Sequence, residues 1–200
     1  MKKYFWLVVG IIIGVLLMTG LGLFTHPYTM RGSTINPPSL APEISLSNVN
    51  GQRFVLSDHK NRLVLIFFGF TNCRDICPVT LAEMKELRSR LGEKASRVDV
   101  VFITVDPQRD TADRMKTYID SFDPQIIGLT AKEQELQPVW DAYGVYREIQ
   151  KENSSSSDYE VSHSSRIYLI DRHGCLRLTY PFGTPVDDIE QDVRYLLKEN

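Results

Sequence analysis

The chain has 200 residues, of which 42% are hydrophobic and 24% are charged, and this is the composition of a globular protein with a substantial core. Its length accommodates one domain of ordinary size and some additional segments. A formal net charge of −2, with no basic stripe along the chain, argues against nucleic acid as a partner.

The first residues of the chain differ from the rest. Lys2 and Lys3 precede an uncharged run over 4–24, YFWLVVGIIIGVLLMTGLGLF, which is long enough to cross a bilayer as a helix. The preceding positive charges predict a cytoplasmic N-terminus and export of the rest. We therefore predict a membrane anchor over 1–24, with its transmembrane helix at 4–24, in the bacterial inner membrane, and a soluble domain in the periplasm. A cleaved signal peptide is the alternative, but the apolar run is long for one and no A-x-A site follows it.

The next segment, 25–42, contains four prolines and one glycine among few apolar residues. This composition predicts a flexible tether between the membrane and the domain. The domain is then expected to cover 43–200. Near its start, the pair Asn50-Gly51 lies between two short apolar runs, which is a strong signal for a β-hairpin.

The central stretch of the domain begins with the apolar run Leu63–Phe68, which predicts a buried strand. After Gly69 and a polar turn come Cys73 and Cys77, followed directly by Pro78 and by apolar residues at helical spacing. A helix is therefore predicted to begin at Cys77, with Pro78 in its first turn. Thiols at a helix N-terminus have a lowered pKa. Two such sulphurs could share a soft metal ion, exchange disulfides with a partner, or form a structural disulfide.

Strand and helix patterns alternate in the next part of the domain. Residues 98–105 predict a second buried strand, and a helix capped by Asp110 or Thr111 is expected to follow it. Residues 126–129 predict a third, short strand. A capping-box pattern that begins at Thr130 predicts the helix after that.

The last part of the chain predicts antiparallel strands. Residues 145–149 are expected to pair with 166–170 as a hairpin, with a mobile polar loop at 151–158 between them. A strand at 175–180 and a helix capped by Thr184 complete the chain. Parallel strands joined by helices and completed by an antiparallel pair are a thioredoxin-like order, so the expected fold class is α/β, thioredoxin-like with an N-terminal hairpin, preceded by one transmembrane helix.

Three motifs resemble the SCO/SenC family, the thioredoxin-like copper proteins of cytochrome oxidase assembly. They are FFGFTNCRDICPVTLAEM around Cys73 and Cys77, VDPQRDT from Val105, and the YLID strand with His163 before it. The resemblance implies that Cys73, Cys77 and His163 bind one copper ion, as Cu(I) or Cu(II). It also implies that the chain assists metallation of the copper site of cytochrome c oxidase subunit II. Two thiolates and an imidazole are a soft ligand set that suits copper, although zinc would also accept them.

Several further residues carry expectations. Asp106, in the second motif, is expected to lie near the metal as a supporting or partner-docking group, or else only to cap the following helix. Arg74 stands where the family commonly has proline and adds positive charge beside the site, and Ser162 stands where the family commonly has aspartate. Cys175 is expected to be a half-buried free thiol, with an intermolecular disulfide as the alternative.

The predicted function is that of a membrane-anchored periplasmic copper chaperone rather than an enzyme. The alternative is a thiol–disulfide oxidoreductase that uses Cys73 and Cys77 to reduce cysteine pairs of exported partners and does not need His163. A peroxiredoxin-like peroxidase is less favoured, because the cysteine loop lacks the usual peroxidatic surroundings. The remaining histidines are expected to be surface residues: His26, His59 and His173.

Overall fold

The computed structural model describes residues 2–23, 28–151 and 159–199. The chain divides into two compact units, Met1–Met30 and Arg31–Asn200. All the strands of the described part of the chain belong to the second unit.

The first unit contains one helix, α1 (Lys2–Leu23). The predicted helix over 4–24 is therefore present up to Leu23, whereas Phe24 lies outside the described residues. Among the residues that the structure describes, no helix has both the length and the apolar character needed to span a bilayer. The predicted transmembrane span is thus not confirmed.

The second unit is built on a mixed sheet of six strands in the order β1-β10-β9-β4-β5-β6, with two separate two-stranded pairs, β2-β3 and β7-β8. The strands are β1 (Ser33–Leu40), β2 (Ser45–Ser47), β3 (Arg53–Val55), β4 (Leu63–Gly69), β5 (Val98–Thr104), β6 (Ile127–Leu129), β7 (Arg147–Lys151), β8 (Tyr159–His163), β9 (Arg166–Ile170) and β10 (Cys175–Pro181). The helices of this unit are α2 (Ile76–Leu91), α3 (Ala112–Asp120), α4 (Glu133–Ala142) and α5 (Val186–Leu196).

The core lies around β4 and β5, which pair in parallel and in which every residue is buried. Strands covered on both faces need apolar side chains on both faces, which explains the continuous apolar runs in the sequence. Helix α2 packs against α5 and buries Leu81, Met84 and Leu87, spaced three residues apart, on its inner face. Strand β9 pairs antiparallel with β4, so the predicted mixed α/β sheet is confirmed. The carboxyl ends of β4 and β5 meet at one edge, which is where ligands bind in open α/β sheets.

Part of the predicted tether is a strand. Residues 33–40 form β1, which pairs antiparallel with β10 at the edge of the sheet. The register shifts between Thr34 and Ser39, an interval that includes Pro37 and Pro38. Proline has no N–H to donate and is tolerated at edges and bulges, so a proline-rich sequence can still form this strand. The predicted tether over 25–42 is therefore wrong for Ser33–Leu40.

A buried carboxylate fixes the chain just before β1. The backbone N–H groups of Arg31 and Gly32 donate to the carboxylate of Asp192 in α5 at 3.0 and 2.9 Å, and the Tyr180 hydroxyl donates to it at 3.0 Å. Gly32 has no room for a side chain, since a Cβ there would lie 2.5 Å from the ring of Tyr180. The entrance to the domain is thus an ordered part of the fold.

The predicted hairpin partner of β7 is wrong. Strand β7 pairs with β8, with Arg147 opposite His163, while β9 lies between β4 and β10 in the main sheet. The reason is burial: all but one residue of β9 are buried, so it belongs in the core sheet, whereas β8 is mostly polar. Of the mobile loop expected at 151–158, Lys151 is instead the last residue of β7, and 152–158 lie outside the described residues.

Of the predicted helix caps, one is confirmed and two are wrong. The hydroxyl of Thr111 accepts the N–H three residues further on and caps α3. Thr130 instead donates to the carbonyl of Asp110, and α4 begins three residues later without a side-chain cap. Thr184 donates back to the carbonyl of Pro181, and α5 begins two residues later. Both threonines therefore stabilise the preceding loop rather than the helix.

The histidines outside the cysteine region differ in environment. His173 is exposed as expected, and His26 lies outside the described residues. His59 is half-buried, and its Nδ1 lies 2.8 Å from the carboxylate of Asp99, which Arg62 also binds. The expected surface position of His59 is therefore wrong. The side chains of His59 and Arg62 both bind the buried carboxylate of Asp99, near the amino end of β5.

We expect Asp192→Ala to lower the free energy of unfolding by about 2–4 kcal/mol, because it removes the acceptor of the buried Tyr180 hydroxyl and of two part-buried backbone N–H groups. The matched control is Gln191→Ala, at the exposed neighbouring position, which should change it by no more than about 0.5 kcal/mol. Urea unfolding followed by circular dichroism measures both. Equal stability of the two variants would contradict this role for Asp192.

Candidate metal centre

The two cysteines lie between the end of β4 and the first turn of α2. Helix α2 begins at Ile76, one residue earlier than the sequence predicted, so that Cys77 is its second residue. The side chain of Cys77 is fully buried, whereas Cys73 in the preceding loop is partly exposed. All three cysteines of the chain are free thiols in this structure, including the half-buried Cys175.

The environment of Cys73 stabilises its thiolate. The thiol of Cys77 and the backbone N–H groups of Cys77 and Asp75 donate hydrogen bonds to the Cys73 sulphur, and the neighbouring His163 ring also favours the thiolate. Together these donors outweigh the effect of burial and lower the pKa of Cys73 to about 3. The pKa of Cys77 is raised, because its proton is shared with the Cys73 thiolate and because the side chain is buried. At neutral pH the pair therefore carries one negative charge, on Cys73.

His163, at the end of β8, brings an imidazole to the same place. Its Nε2 lies 4.0 Å from the sulphur of Cys77, and its Nδ1 lies 2.9 Å from the carbonyl oxygen of Ser164. Because a carbonyl only accepts, Nδ1 carries the proton of this bond and Nε2 is the atom that faces the sulphurs. The ring also packs edge-on against Phe70, with the ring centroids 5.7 Å apart. The structure thus brings together the three side chains that the sequence indicated.

The spacing of these atoms is close to that of a metal site but does not yet form one. Within the described residues, no group of three or more His, Cys, Asp or Glu side chains is arranged to hold a metal ion. With metal bonds of about 2.3 Å to sulphur and about 2.0 Å to nitrogen, two ligands 120° apart are about 3.7 Å from each other. The observed 4.0 Å between Cys77 and His163 is within a few tenths of an ångström of that value. Small side-chain movements would therefore allow ligation, and two sulphurs and an imidazole suit Cu(I).

Gly69 is a site residue whose role the sequence did not reveal. A Cβ at this position would lie 2.8 Å from the sulphur of Cys77 and 2.6 Å from the ring of Phe102. The last residue of β4 must therefore lack a side chain if Cys77 is to reach its buried position. The only sequence signal was a glycine at the end of an apolar run.

Asp110 is a second residue whose role differs from the expected one. It was expected as a possible helix cap, but its buried carboxylate accepts hydrogen bonds from the Thr71 N–H (3.1 Å), the Thr71 hydroxyl (2.6 Å) and the Thr104 hydroxyl (2.7 Å). Burial raises the pKa of Asp110 against the effect of these donors. The carboxylate thus connects the cysteine loop to the end of β5.

Asp106 is fully buried, so it presents no surface to a docking partner, and it does not cap α3. It forms an ion pair with Arg109 and accepts a hydrogen bond from the hydroxyl of Tyr159 at 2.5 Å. The guanidinium of Arg109 lies 3.8 Å from the centroid of the Tyr159 ring and 5.9 Å from that of Phe70. Asp106 therefore supports the site indirectly, by holding the start of β8.

A second arginine holds the other strand of the hairpin. Arg147 in β7 donates to the carbonyl of Val105 at 2.5 Å and to Glu133 at 2.9 Å, and it lies over the ring of Trp140. Both strands of the hairpin that carries His163 are therefore fastened to the segment that follows β5. Arg74, by contrast, is exposed beside the cysteines.

A mixed α/β sheet with a reduced cysteine pair at the start of a helix, and a histidine facing that pair, defines a thioredoxin-like protein built for thiol or metal chemistry. The SCO1/SenC family model matches residues 32–198, and the chain therefore belongs to the SCO1/SenC family.

Relatives and solved structures agree with this assignment. The SCO2-like protein of Rickettsia felis is 39% identical over 132 residues, which cover 66% of this chain and 64% of that protein. The chain thus spans slightly less than two thirds of that relative's length. The structure of Bradyrhizobium japonicum ScoI with copper bound is 33% identical, with a TM-score of 0.72, and covers 80% of this chain and 100% of its own. Apo Sco1 of Thermus thermophilus is 28% identical, with a TM-score of 0.77, and covers 86% of this chain and 100% of its own.

We expect Gly69→Ala to lower the free energy of unfolding by about 1–3 kcal/mol, because the added methyl overpacks the core. The buried thiol of Cys77 should also be displaced and react faster with a thiol reagent. Thermal unfolding and the rate of Cys77 labelling, resolved by peptide mass spectrometry, measure both effects. Gly10→Ala is the control, since a Cβ there meets nothing within 4 Å. Wild-type stability with unchanged labelling would show that the site tolerates a side chain.

The lowered pKa of Cys73 predicts an unusual pH dependence of its alkylation. A pKa of about 3 means that the thiolate is present at every pH above that value, so the rate of reaction with iodoacetamide should be nearly constant from about pH 5 to pH 8. An ordinary thiol instead reacts about tenfold faster per pH unit over this range. The metal-free, reduced chain is used, and Cys73→Ser should remove the pH-independent reaction. A rate that rises steadily toward pH 9 would contradict the assignment.

Proposed function

We propose that the chain is a copper chaperone that binds one copper ion, as Cu(I) or Cu(II), through Cys73, Cys77 and His163. It delivers this ion to the binuclear copper site of cytochrome c oxidase subunit II. Membership of the SCO1/SenC family and the likeness to Bradyrhizobium japonicum ScoI with copper bound support the proposal. The single observation that carries it is the convergence of the three side chains: the Cys77 N–H lies 3.4 Å from the Cys73 sulphur, and the Cys77 sulphur lies 4.0 Å from Nε2 of His163.

We further propose that residues 4–24 anchor the chain in the bacterial inner membrane and that the domain lies in the periplasm. The proposal is supported by the uncharged run itself and by Lys2 and Lys3 ahead of it, which favour a cytoplasmic N-terminus. In this arrangement the chaperone and its acceptor share one membrane surface.

Copper is the cargo of this process, and its transfer is a ligand exchange. Thiolates of the acceptor form bonds to the ion while its bonds to Cys73, Cys77 and His163 break, and Cu(I) keeps its oxidation state. One proton released by the acceptor's thiols returns to Cys77 and the other passes to solvent, because Cys73 remains a thiolate at neutral pH. Three protein ligands leave the ion open to attack. Because Cys77 is fully buried, the exchange starts at the partly exposed side of the site, where Cys73 and His163 lie.

A thiol–disulfide oxidoreductase is the second candidate, and the thiolate of Cys73 at neutral pH favours it. The thiolate would attack a partner's disulfide, forming a mixed disulfide and releasing one partner thiolate. Cys77, once deprotonated, would then displace the second. The products are the partner's dithiol and a Cys73–Cys77 disulfide, so two electrons pass to the partner. This chemistry has no need of His163.

His163 therefore discriminates between the two functions. We expect the full-length reduced chain to bind one copper ion, with thiolate-to-copper charge-transfer absorption in the Cu(II) form, and Cys73→Ser and Cys77→Ser to abolish binding. His163→Ala should weaken binding greatly, because it removes one of three ligands. Metal analysis after gel filtration and competition with a chelator measure stoichiometry and affinity.

Matched controls come from the same chain. Cys175→Ser removes a thiol and His173→Ala removes an imidazole, both near the amino end of β4 whereas Cys73 follows its carboxyl end, and each should bind copper as the wild type does. Full copper binding by Cys73→Ser or Cys77→Ser would reject the copper site. A wild-type chain that binds no copper but forms a reversible Cys73–Cys77 disulfide would favour the oxidoreductase.

A further inference from the structure

Four large apolar side chains of the second unit are exposed in the described part of the chain, and three of them belong to segments that adjoin those of Cys77 and His163. These three are Val79, 46% exposed, Tyr146, 60% exposed, and Phe182, 47% exposed. We call this group the apolar rim. The fourth, Leu40, is in β1.

Main-chain hydrogen bonds place two members of the apolar rim next to His163. Tyr146 and Ser164 bond to each other, through the Tyr146 N–H to the Ser164 hydroxyl (2.9 Å) and the Ser164 N–H to the Tyr146 carbonyl (3.1 Å). The carbonyl of the same Ser164 holds the imidazole of His163. The Phe182 N–H donates to the carbonyl of Ser165 at 3.1 Å, one residue further along.

The third member belongs to the cysteine side of the centre. Val79 lies in the first turn of α2, two residues after Cys77. The apolar rim therefore comes from three separate segments of the chain: Val79 follows Cys77 closely in sequence, and Tyr146 and Phe182 are hydrogen-bonded to the two residues that follow His163. Exposed aromatic and aliphatic side chains gathered around a reactive centre are typical of the anchors of a protein interface.

The burial of the ligands decides from which side a partner can come. Cys77 is fully buried, and only Cys73 and His163 reach solvent. A protein that takes copper must bring its own sulphur atoms within bonding distance of the ion over these two residues. Its surface around those sulphurs must then cover the neighbouring apolar rim.

We propose that the apolar rim of Val79, Tyr146 and Phe182 is the surface on which the protein acceptor of copper docks. The acceptor presents a pair of thiols within an apolar patch of its own surface, and burial of the two patches holds the thiols over the ion. This inference rests on the proposed chaperone function and adds to it the residues that recognise the partner. The apolar rim has no part in holding the metal, so it affects delivery without affecting affinity.

The test compares two variants of the full-length, copper(I)-loaded chain. The rim variant carries Val79→Ala, Tyr146→Ala and Phe182→Ala together, and the control is Leu40→Ala. Leu40 pairs with Cys175 at the opposite end of β10 from Phe182, so it provides an exposed apolar side chain far from the centre. The acceptors are the soluble domain of cytochrome c oxidase subunit II with its cysteines reduced, and the small chelator bicinchoninate.

We expect the rim variant to bind copper with wild-type affinity and to transfer it to the subunit II domain at least tenfold more slowly, while its transfer to bicinchoninate is unchanged. Leu40→Ala should behave as the wild type in all three measurements. Equal transfer of copper to the subunit II domain by the rim variant and the wild type overturns the inference and leaves the chaperone function standing. A rim variant that changes its oligomeric state but transfers copper at the wild-type rate also overturns the inference, since the rim would then join two copies of this chain. The chaperone function would again stand. A wild-type chain that loads with copper but gives none to the subunit II domain overturns both.

Discussion

The carboxylate of Asp110 is the group on which the geometry of the cysteine loop depends. It is buried behind the loop and accepts three hydrogen bonds, two from Thr71 and one from Thr104 at the end of β5. A buried carboxylate without hydrogen-bond donors is strongly unfavourable. Separation of the cysteine loop or of β5 from Asp110 would remove these donors, so both remain bound to the carboxylate. The loop that holds Cys73 therefore cannot move away from β5 without exposing this charge. This explains how a short loop without regular structure presents a sulphur atom at a fixed position.

The histidine side of the centre is fixed by a different set of interactions. Asp106 and Arg109 hold Tyr159 at the start of β8, and Arg147 fastens β7 to the backbone after β5. Both sets converge on the segment that follows β5. The cysteines and the histidine belong to parts of the chain that are distant in sequence, yet one short segment sets the position of both. The separation between sulphur and imidazole is therefore determined by the end of a single core strand.

The sequence predicted those features that follow from local pattern. The apolar run at Leu63–Phe68 identified the central strand, and the cysteine spacing before an amphipathic run identified the helix. What it missed depends on tertiary contacts. Strand β1 contains two prolines and becomes a strand because β10 lies beside it, and the alternation in β8 is too short and too polar to identify it as a strand. The need for glycine at position 69 follows from an approach by Cys77 that only the folded structure shows.

The prolines of β1 have a consequence for how copies of the chain behave toward one another. Strand β1 is the last strand on its side of the described sheet, and the open edge of such a strand is a template on which another polypeptide can add. Pro37 and Pro38 have no N–H groups, and the register shift around them interrupts the regular spacing that a new strand would have to match. The prolines that make β1 hard to predict from the sequence thus also disfavour the addition of a strand from another molecule to this edge. The protein is thereby protected from aggregation at high local concentration.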